Sequence, residues 1–251
     1  MAEPRRLLIL GGTGEAVEFS HRAAALADLD VIYSLAGLTR TPSRAGGRLR
    51  IGGFGGAQGL RDFLGAERID LVVDATHPYS TQMTGNAAAA CTGLNLPRLV
   101  VQRPPWRKGK GDRWIPAASD REAMHRLPSL GERIFLTVGR TELEVYGEMS
   151  ERCWFLVRLV EPPSAPLPLP DAELVIERAP HSLDHEKRLL TGHRIDCVVS
   201  KNSGGEATYG KIAAARALGL PVVMIQRPRR PDGELVTGVE AALAWLTGQL
   251  G

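Results

Sequence analysis

The stretch that decides the fold runs from residue 69 to residue 104 and reads IDLVVDATHPYSTQMTGNAAAACTGLNLPRLVVQRP. A second stretch, from 195 to 228, reads IDCVVSKNSGGEATYGKIAAARALGLPVVMIQRP and repeats the same plan. Both begin with Ile-Asp-x-Val-Val, continue through an alanine-rich segment and a Leu-Pro, and end with Gln-Arg-Pro. Two apolar runs around a helix-forming segment are typical of a strand–helix–strand unit. The sequence therefore predicts two similar α/β domains.

Alternating strands and helices extend from both copies of this unit. We predict an α/β fold made of two Rossmann-like, doubly wound parallel-sheet domains with an interdomain cleft. The predicted boundaries are 1–113 for the N-terminal domain and 114–251 for the C-terminal domain. The segment at 103–114, RPPWRKGKGDRW, is rich in proline, glycine and charge and is predicted to be a loop and a hinge. The sequence leaves open an exchange of strands between the domains.

Composition excludes several classes of protein. The chain has 251 residues, of which 43% are hydrophobic, and a formal net charge of +3, which is too mild to indicate a nucleic-acid partner. Its apolar runs are too short for a signal peptide or a membrane span. The three cysteines lack metal-ligand spacing and imply no disulfide framework, so we predict no metal and a cytoplasmic protein.

The turn after the first predicted strand reads GGTGEA, at residues 11–16. Gly12 and Gly14 let the backbone turn tightly and approach a phosphate, and the following helix start offers free N–H groups and a positive dipole end. Thr13 and Glu15 belong to the same turn. We predict a phosphate-binding turn of a dinucleotide site, with a purely structural turn as the alternative.

The end of the second predicted strand suggests which dinucleotide binds. An NAD site places Asp or Glu there to hold the ribose 2′-hydroxyl, but the sequence reads YSLAGLTRTPSR. Ser34, Thr39 and Arg40 can instead receive a 2′-phosphate. The pattern favours NADPH over NADH, and a basic surface loop is the alternative.

Two further turns in the first half carry candidate site residues. The cluster GGFGG, which contains Gly53, can make room for a ribose or a pyrophosphate, although a flexible loop is also open. The turn DATHPYS places Thr76, His77 and Tyr79 at the carboxyl end of a strand. His77 or Tyr79 can donate a proton, and substrate binding is the favoured role of this turn.

The turn SKNSGG in the second half is predicted to clamp a ligand. Lys201 ends an apolar strand, Asn202 and Ser203 supply hydrogen bonds, and Gly204 allows close backbone approach. Clamping a substrate carboxylate is the favoured role of Lys201. Polarising the substrate or delivering a proton are alternatives, as is a solvated surface position.

Basic side chains cluster after three predicted strands. Arg103 belongs to one cluster and Arg227 to another, and Trp106 lies close to the first. Arginine pairs with carboxylates through two parallel hydrogen bonds, so these clusters can face an anion. Solvated loops are the alternative.

Taken in order, the motifs resemble one family. GGTGE, SLAG, GGFGG, DATHPYS, RPPW, TVGR and SKNSGG, followed by the helix and LGLPVVMIQRP, are similar to the precorrin-6A reductase family of vitamin B12 biosynthesis. The resemblance spans residues 7–228. It implies reduction of the C18=C19 double bond of precorrin-6A by NADPH, giving precorrin-6B, with both molecules between two Rossmann-like domains.

The resemblance also suggests roles for the candidate residues and partners for the protein. It implies a polycarboxylate tetrapyrrole substrate, for which Trp106 can pack on the ring edge, and possible contacts with neighbouring pathway enzymes. The main alternative is the cobalt-containing substrate, cobalt-precorrin-6A. A non-catalytic NADP-binding sensor is the alternative outside enzymes, and the polar second turn argues against it. The catalytic candidates are Lys201, His77 and Tyr79; the cofactor-binding candidates are Gly12, Thr13, Gly14, Glu15, Ser34, Thr39, Arg40, Gly53 and Thr76; the substrate-binding candidates are His77, Arg103, Trp106, Asn202, Ser203, Gly204 and Arg227.

Overall fold

Two compact units make up the part of the chain that the computed structural model describes, residues 3–36 and 45–251. The first unit comprises Met1–Pro104 and Pro228–Gly251, and the second comprises Pro105–Arg227. Each unit contains one six-stranded sheet with parallel strand pairs. The prediction of two Rossmann-like α/β domains is confirmed.

The sheet of the first domain reverses its strand order at its centre. The order is β12-β5-β4-β1-β2-β3, so the reversal lies between β4 and β1. Ligands of open α/β sheets bind at such a switch point, beyond the carboxyl ends of the strands. The elements are β1 (Arg5–Leu10), α1 (Gly14–Ala23), β2 (Leu29–Leu35), β3 (Arg48–Ile51), α2 (Gly56–Ala66), β4 (Leu71–Asp74), α3 (Thr81–Leu94), β5 (Arg98–Val101), β12 (Glu234–Val236) and α8 (Gly238–Leu250).

The sheet of the second domain has the corresponding arrangement. The order is β6-β11-β10-β7-β8-β9, which places the switch point between β10 and β7. The elements are β6 (Arg113–Ala117), α4 (Asp120–Arg126), β7 (Arg133–Thr137), α5 (Leu143–Tyr146), β8 (Trp154–Leu159), β9 (Ala172–Ile176), α6 (Leu183–Gly192), β10 (Cys197–Lys201), α7 (Gly210–Leu218) and β11 (Pro221–Ile225).

The central strand β1 shows why its sequence is an unbroken apolar run. Successive side chains point to opposite faces of a sheet, and helices cover both faces of this one. Leu7 and Ile9 pack with α1 and α8, whereas Leu8 and Leu10 pack with α2 and α3. Full burial of one such side chain contributes about 1.5–3 kcal/mol, so the run stabilises both layers at once.

The repeated stretches form the predicted units. The first contains β4, α3 and β5, and the second contains β10, α7 and β11. In each unit the two strands are direct parallel neighbours. The second copy builds its core in the same way, because Val198 of β10 and Met224 of β11 pack against Ile212 and Ala215 of α7.

The sixth strand of each sheet comes from outside its run of five. The strand β6 follows β1–β5 in the chain but pairs with β11, and β12 follows β7–β11 but pairs with β5. The sequence-based boundary after residue 113 therefore differs from the division in the structure, in which residues 105–113 belong to the second unit and residues 228–251 return to the first.

Neither exchanged strand is predicted from the sequence. Residues 113 and 114 were included in the predicted loop, yet β6 begins at Arg113 and pairs along five positions with β11. It contains Pro116, which an edge strand tolerates because its outer side has no neighbour to receive a hydrogen bond. The strand β12 has three residues, too few for a periodic pattern.

The segment after β7 is helical in three short pieces. The helix α5 lies between two 3₁₀ turns, Arg140–Glu142 and Gly147–Met149. Within the described ranges, every helix falls short of the length and apolar character that a bilayer-spanning segment requires.

Candidate functional site

The turn after β1 requires glycine for two different reasons. A Cβ atom on Gly11 would lie 2.2 Å from Cζ of Tyr33, so the tyrosine ring occupies the space of a side chain. Gly12 has φ +123°, a backbone conformation that residues with a side chain rarely adopt. Its N–H donates to the Tyr33 hydroxyl at 3.3 Å. Burial raises the pKa of that hydroxyl, so Tyr33 remains a neutral phenol. The sequence identified Gly12 but not Gly11 or Tyr33.

The same turn is open on its outer side. Cβ atoms built on Gly12 and Gly14 meet no atom within 4 Å. Thr13 caps α1, because its hydroxyl accepts a hydrogen bond from the N–H of Ala16 at 3.1 Å. An open glycine turn at a helix start fits a phosphate group, because the first N–H groups of the helix point outward.

Thr13 also joins the two turns at the switch point of the first domain. Its hydroxyl donates to the backbone oxygen of Ala75, after β4, at 2.8 Å. Beside it, the buried Thr76 hydroxyl donates to Oδ1 of Asp74 at 2.6 Å. Oδ2 of Asp74 is buried and has no hydrogen-bond partner in the part of the chain that the structure describes, so it can accept from a ligand hydroxyl or amide.

An arginine holds the glycine-rich loop after β3. Arg50 donates to the backbone oxygens of Gly52 at 2.5 Å and Gly53 at 2.9 Å, and its guanidinium lies 3.8 Å from the centre of the Phe54 ring. Burial lowers the pKa of Arg50. The same group donates to the buried hydroxyl of Ser34 at 3.4 Å, which brings a cation to the end of β2. Arg50 belongs to one of the three basic clusters that the sequence predicts to face an anion.

Two predicted cofactor residues, Thr39 and Arg40, lie outside the described residues. Glu15, in the first turn of α1, pairs with Arg103, whose Nη1 lies 3.3 Å from Oε2 of Glu15. The structure therefore brings together one predicted cofactor residue and one predicted substrate residue. Arg103 must exchange partners if it is to bind a substrate carboxylate.

His77 and Tyr79 lie next to each other after β4. Their ring centres are 5.7 Å apart, and the backbone N–H of Tyr79 donates to Nδ1 of His77 at 3.4 Å. Both side chains are partly exposed. Because Pro78 between them is buried, the turn presents the two rings at its surface.

The second predicted ligand turn, after β10, is tied to Trp106. Oδ1 of Asn202 accepts from the backbone N–H of Trp106 at 2.8 Å, and Nδ2 donates to its backbone oxygen at 3.2 Å. The indole N–H donates to the backbone oxygen of Gly205 at 2.8 Å. Asn202 is buried and holds Trp106, so its side chain supports the turn from within.

Arg227 holds the same turn from the end of β11. Its Nε donates to the backbone oxygen of Asn202 at 2.8 Å, and Nη2 donates to that of Ser203 at 2.9 Å. Gly204 has φ +71°, which fits its predicted role of letting the backbone turn closely. The structure thus brings together these predicted substrate residues of the second domain: Trp106, Asn202, Ser203, Gly204 and Arg227.

Lys201 is the last residue of β10 and forms an ion pair. Nζ donates to Oε1 of Glu142 at 2.5 Å, and the side chains of Lys201 and Glu142 are 12% and 27% exposed. The other carboxylate oxygen of Glu142 accepts from the Thr141 hydroxyl at 3.1 Å. A Cβ on Gly139 would lie 2.3 Å from that oxygen, so the glycine makes room for the carboxylate. The pair spans the switch point between β7 and β10.

A second carboxyl group follows the edge strand β6 of the same sheet. Asp120, the first residue of α4, accepts a hydrogen bond at Oδ1 from the buried Tyr146 hydroxyl at 3.0 Å. Burial raises the pKa of Asp120; the charge of Lys201 acts in the opposite direction and that of Glu142 in the same direction. Burial also raises the pKa of Tyr146, which keeps it a hydrogen-bond donor. The sequence analysis missed Asp120 and Glu142, although the position of Glu142 after a strand at a switch point is a usable signal.

One group of three side chains among the described residues could hold a metal ion: Glu177, His181 and His185. Nε2 of His185 lies 2.9 Å from Oε1 of Glu177, while Nε of Arg158 lies 3.3 Å from Oε2. The arginine already places a positive charge on this carboxylate, and burial, followed by that charge, lowers the pKa of His181. An ion-pair network accounts for the group.

Comparisons with known proteins find similar sequences and a similar structure along nearly the whole chain. A family model described as "Precorrin-6x reductase CbiJ/CobK" matches residues 6–247. A precorrin-6A reductase of Rhodococcus erythropolis is 46% identical over 245 residues, which cover 96% of this chain and 97% of the relative. A cobalt-precorrin-6A reductase of Synechocystis sp. is 29% identical over 187 residues, 71% of each chain. The solved structure "CobK precorrin-6A reductase" is similar with a TM-score of 0.90 and 40% identity, covering 97% of this chain and 96% of that one.

Proposed function

The chain belongs to the precorrin-6x reductase family, an oxidoreductase family of cobalamin biosynthesis, and from this membership we propose that it reduces precorrin-6A to precorrin-6B with NADPH. The proposed reaction adds a hydride and a proton across the C18=C19 double bond of the macrocycle. The observation that carries the proposal is the full-length similarity to precorrin-6A reductases in both sequence and structure.

The cobalt-free substrate is favoured over its cobalt-containing counterpart. The identity to a precorrin-6A reductase is clearly higher and covers far more of the chain than the identity to a cobalt-precorrin-6A reductase. A non-catalytic sensor is the least favoured alternative, because the family to which the chain belongs consists of reductases.

The first domain supports NADPH as the cofactor. Its glycine turn at the start of α1 fits a pyrophosphate, and the orphan oxygen of Asp74 fits a hydroxyl or amide donor. The described end of β2 carries Ser34 and no carboxylate, while Arg50 donates to its hydroxyl. A cation in place of an acid favours the 2′-phosphate of NADPH, with Thr39 and Arg40 as further proposed contacts.

When bound, the dihydronicotinamide supplies the hydride, so the chain's own residues have to bind, orient and protonate. We assign binding of the tetrapyrrole carboxylates to Arg227 and Arg103, and packing on the ring edge to Trp106. The hydrogen bonds that join Trp106 to the Asn202 turn fix this surface before substrate arrives. Such prior ordering reduces the entropy that binding costs.

The test is direct. Purified protein is mixed with precorrin-6A and NADPH, and loss of NADPH absorbance is followed together with formation of the reduced tetrapyrrole. The proposal predicts stoichiometric reduction with NADPH and much slower reduction with NADH. A protein that binds NADPH but never oxidises it in the presence of precorrin-6A or its cobalt complex is a sensor.

The compartment and partners are also proposals. The three cysteines are buried and free, and burial raises the pKa of Cys91 to about 11 and that of Cys197 to about 12. Such thiols are unreactive and fit a reducing cytoplasm. The proposed partners are the tetrapyrrole and neighbouring pathway enzymes, and we propose neither nucleic acid nor membrane as a partner.

A further inference from the structure

We propose that Asp120 is the acid that supplies the proton of the reduction, with Lys201 and Glu142 as positioning residues around it. The inference rests on the proposed function and names a group for its proton-transfer half. It starts from the cluster at the carboxyl edge of the second sheet, where Asp120 follows β6, Glu142 follows β7 and Lys201 ends β10.

Charge argues against the favoured role of Lys201 as a carboxylate clamp. Its ammonium group is already bonded to Glu142 at 2.5 Å, and a second carboxyl group, that of Asp120, lies within electrostatic range. With both acids ionised, the three groups carry one excess negative charge, which repels a substrate carboxylate. A proton on one of the two acids makes the set neutral.

Asp120 is the acid that holds this proton. Both acids are partly buried, but Glu142 has the direct bond to Lys201 that stabilises an ionised carboxylate. The Tyr146 hydroxyl fixes Oδ1, which leaves the other oxygen to carry the proton. Of the elements packed against α4, β11 ends in the apolar residues Met224 and Ile225, α5 carries the exposed Glu144, and β6 begins at the exposed Arg113. On α4 itself, the exposed Arg121 is paired with Glu148.

The proposed step balances in atoms and electrons. The π bond of the substrate breaks; one carbon receives the hydride with its two electrons and the other receives the proton from the Asp120 carboxyl group. Two C–H bonds form, the cofactor leaves as NADP⁺, and Asp120 is left as a carboxylate beside Lys201. Lys201 stabilises the carboxylate that forms, and solvent returns the proton between turnovers.

The cluster predicts pH shifts of opposite sign. A general acid must be protonated, so turnover falls as pH rises through the pKa of Asp120. Glu142→Gln removes a charge that raises this pKa and is expected to move the alkaline limb of the kcat profile to lower pH. Lys201→Met removes a charge that lowers it and is expected to move the limb to higher pH. Exposed Glu144→Gln, two residues from Glu142, is the control and is expected to move nothing.

Asp120→Asn keeps the shape and is expected to lower kcat by about 100-fold or more, with little change in the Kd for NADPH or the tetrapyrrole. A second measurement does not depend on turnover. It is isotope-edited infrared spectroscopy of the free protein, in which the Asp120 carboxylic acid band is expected to titrate at higher pH than that of an exposed aspartate.

If wild-type protein does not reduce precorrin-6A, the proposed function fails. If it does, but Asp120→Asn stays active or both charge variants shift the limb in one direction, the inference on Asp120 is overturned.

Discussion

The switch points of the two domains are bridged in different ways. In the first domain a threonine hydroxyl joins the turns after β1 and β4, through Thr13 and the backbone of Ala75. In the second an ion pair joins Lys201, the last residue of β10, to Glu142, which follows β7. In the first domain, glycines and the small threonine side chain leave room for a large ligand. In the second domain, charged side chains occupy the corresponding position, and they can exchange protons with a ligand. We propose that the same fold is used twice for two tasks: the first domain binds the cofactor, and the second acts on the substrate.

The largest expected effect of a single substitution is at a buried ion pair of the second domain, which has no counterpart at the hydroxyl-bridged switch point of the first. Arg158 and Glu186 are 8% and 0% exposed, and Nη1 of Arg158 donates to Oε1 of Glu186 at 2.6 Å. Glu186→Gln removes the fully buried one of the two carboxylates that pair with the Arg158 guanidinium and leaves only the contact with Glu177, so it is expected to destabilise the protein by about 3–5 kcal/mol. Denaturant unfolding followed by circular dichroism measures this. The surface variant Glu148→Gln is the control, with a loss of about 0–1 kcal/mol.

The next effect sharpens the assignment of NADPH to the first domain. Arg40→Ala is expected to weaken NADPH binding by roughly 1.5–3 kcal/mol and to leave NADH binding nearly unchanged, because NADH lacks the 2′-phosphate. Titration of protein fluorescence gives both dissociation constants. Exposed Arg61→Ala on α2 is the control. Equal losses for both cofactors would place Arg40 away from the 2′-phosphate.

Gly12→Ala tests the open turn of the first domain. The positive φ of Gly12 makes any side chain strained by about 1–3 kcal/mol, and the Cβ enters the space assigned to a phosphate. We expect a higher Kd for NADPH and an unchanged Kd for the tetrapyrrole, both measured by calorimetry. Gly248→Ala in α8 also points into open space without positive φ and is expected to change neither. A loss of tetrapyrrole affinity in Gly12→Ala contradicts the separation of roles.

Lys201→Ala tests the charged switch point of the second domain, as Gly12→Ala tests the open turn of the first. We expect near-normal thermal stability and NADPH binding, with kcat/KM for the tetrapyrrole lowered tenfold or more, because the carboxylate that Asp120 becomes loses the stabilising charge of Lys201, an effect of at least about 1.4 kcal/mol. Steady-state kinetics at the pH optimum measure it. Full activity identifies Lys201 as a residue that serves only the ion pair.

The sequence predicts the parts of this fold that depend on local pattern. The apolar run of β1, the two strand–helix–strand repeats and the glycine turns are all visible in the chain, because burial on both faces and tight backbone turns restrict residue type locally. The strands β6 and β12 are not, because a five-residue edge strand with a proline and a three-residue strand are defined by their partners.

The site divides in the same way. Gly12 and Lys201 were predicted because they lie in conspicuous turns. Asp120 and Tyr33 were missed because their roles arise from neighbours distant in the chain: Tyr146 for the first and Gly11 for the second. Only the sheet order identifies such neighbours, since it brings the ends of non-consecutive strands together.

The exchanged strand β12 has a consequence for synthesis on the ribosome. The strand and α8 follow every element of the second domain in the chain, and α8 contributes Val239, Ala242 and Leu246 to the core of the first domain. Domains are usually completed in the order in which they emerge. Here the nascent second domain has all its strands by residue 225, while the first still lacks a sheet edge and part of its core. The first domain is therefore completed after the second, and a chain that stops after residue 225 lacks one strand and one helix of the first domain.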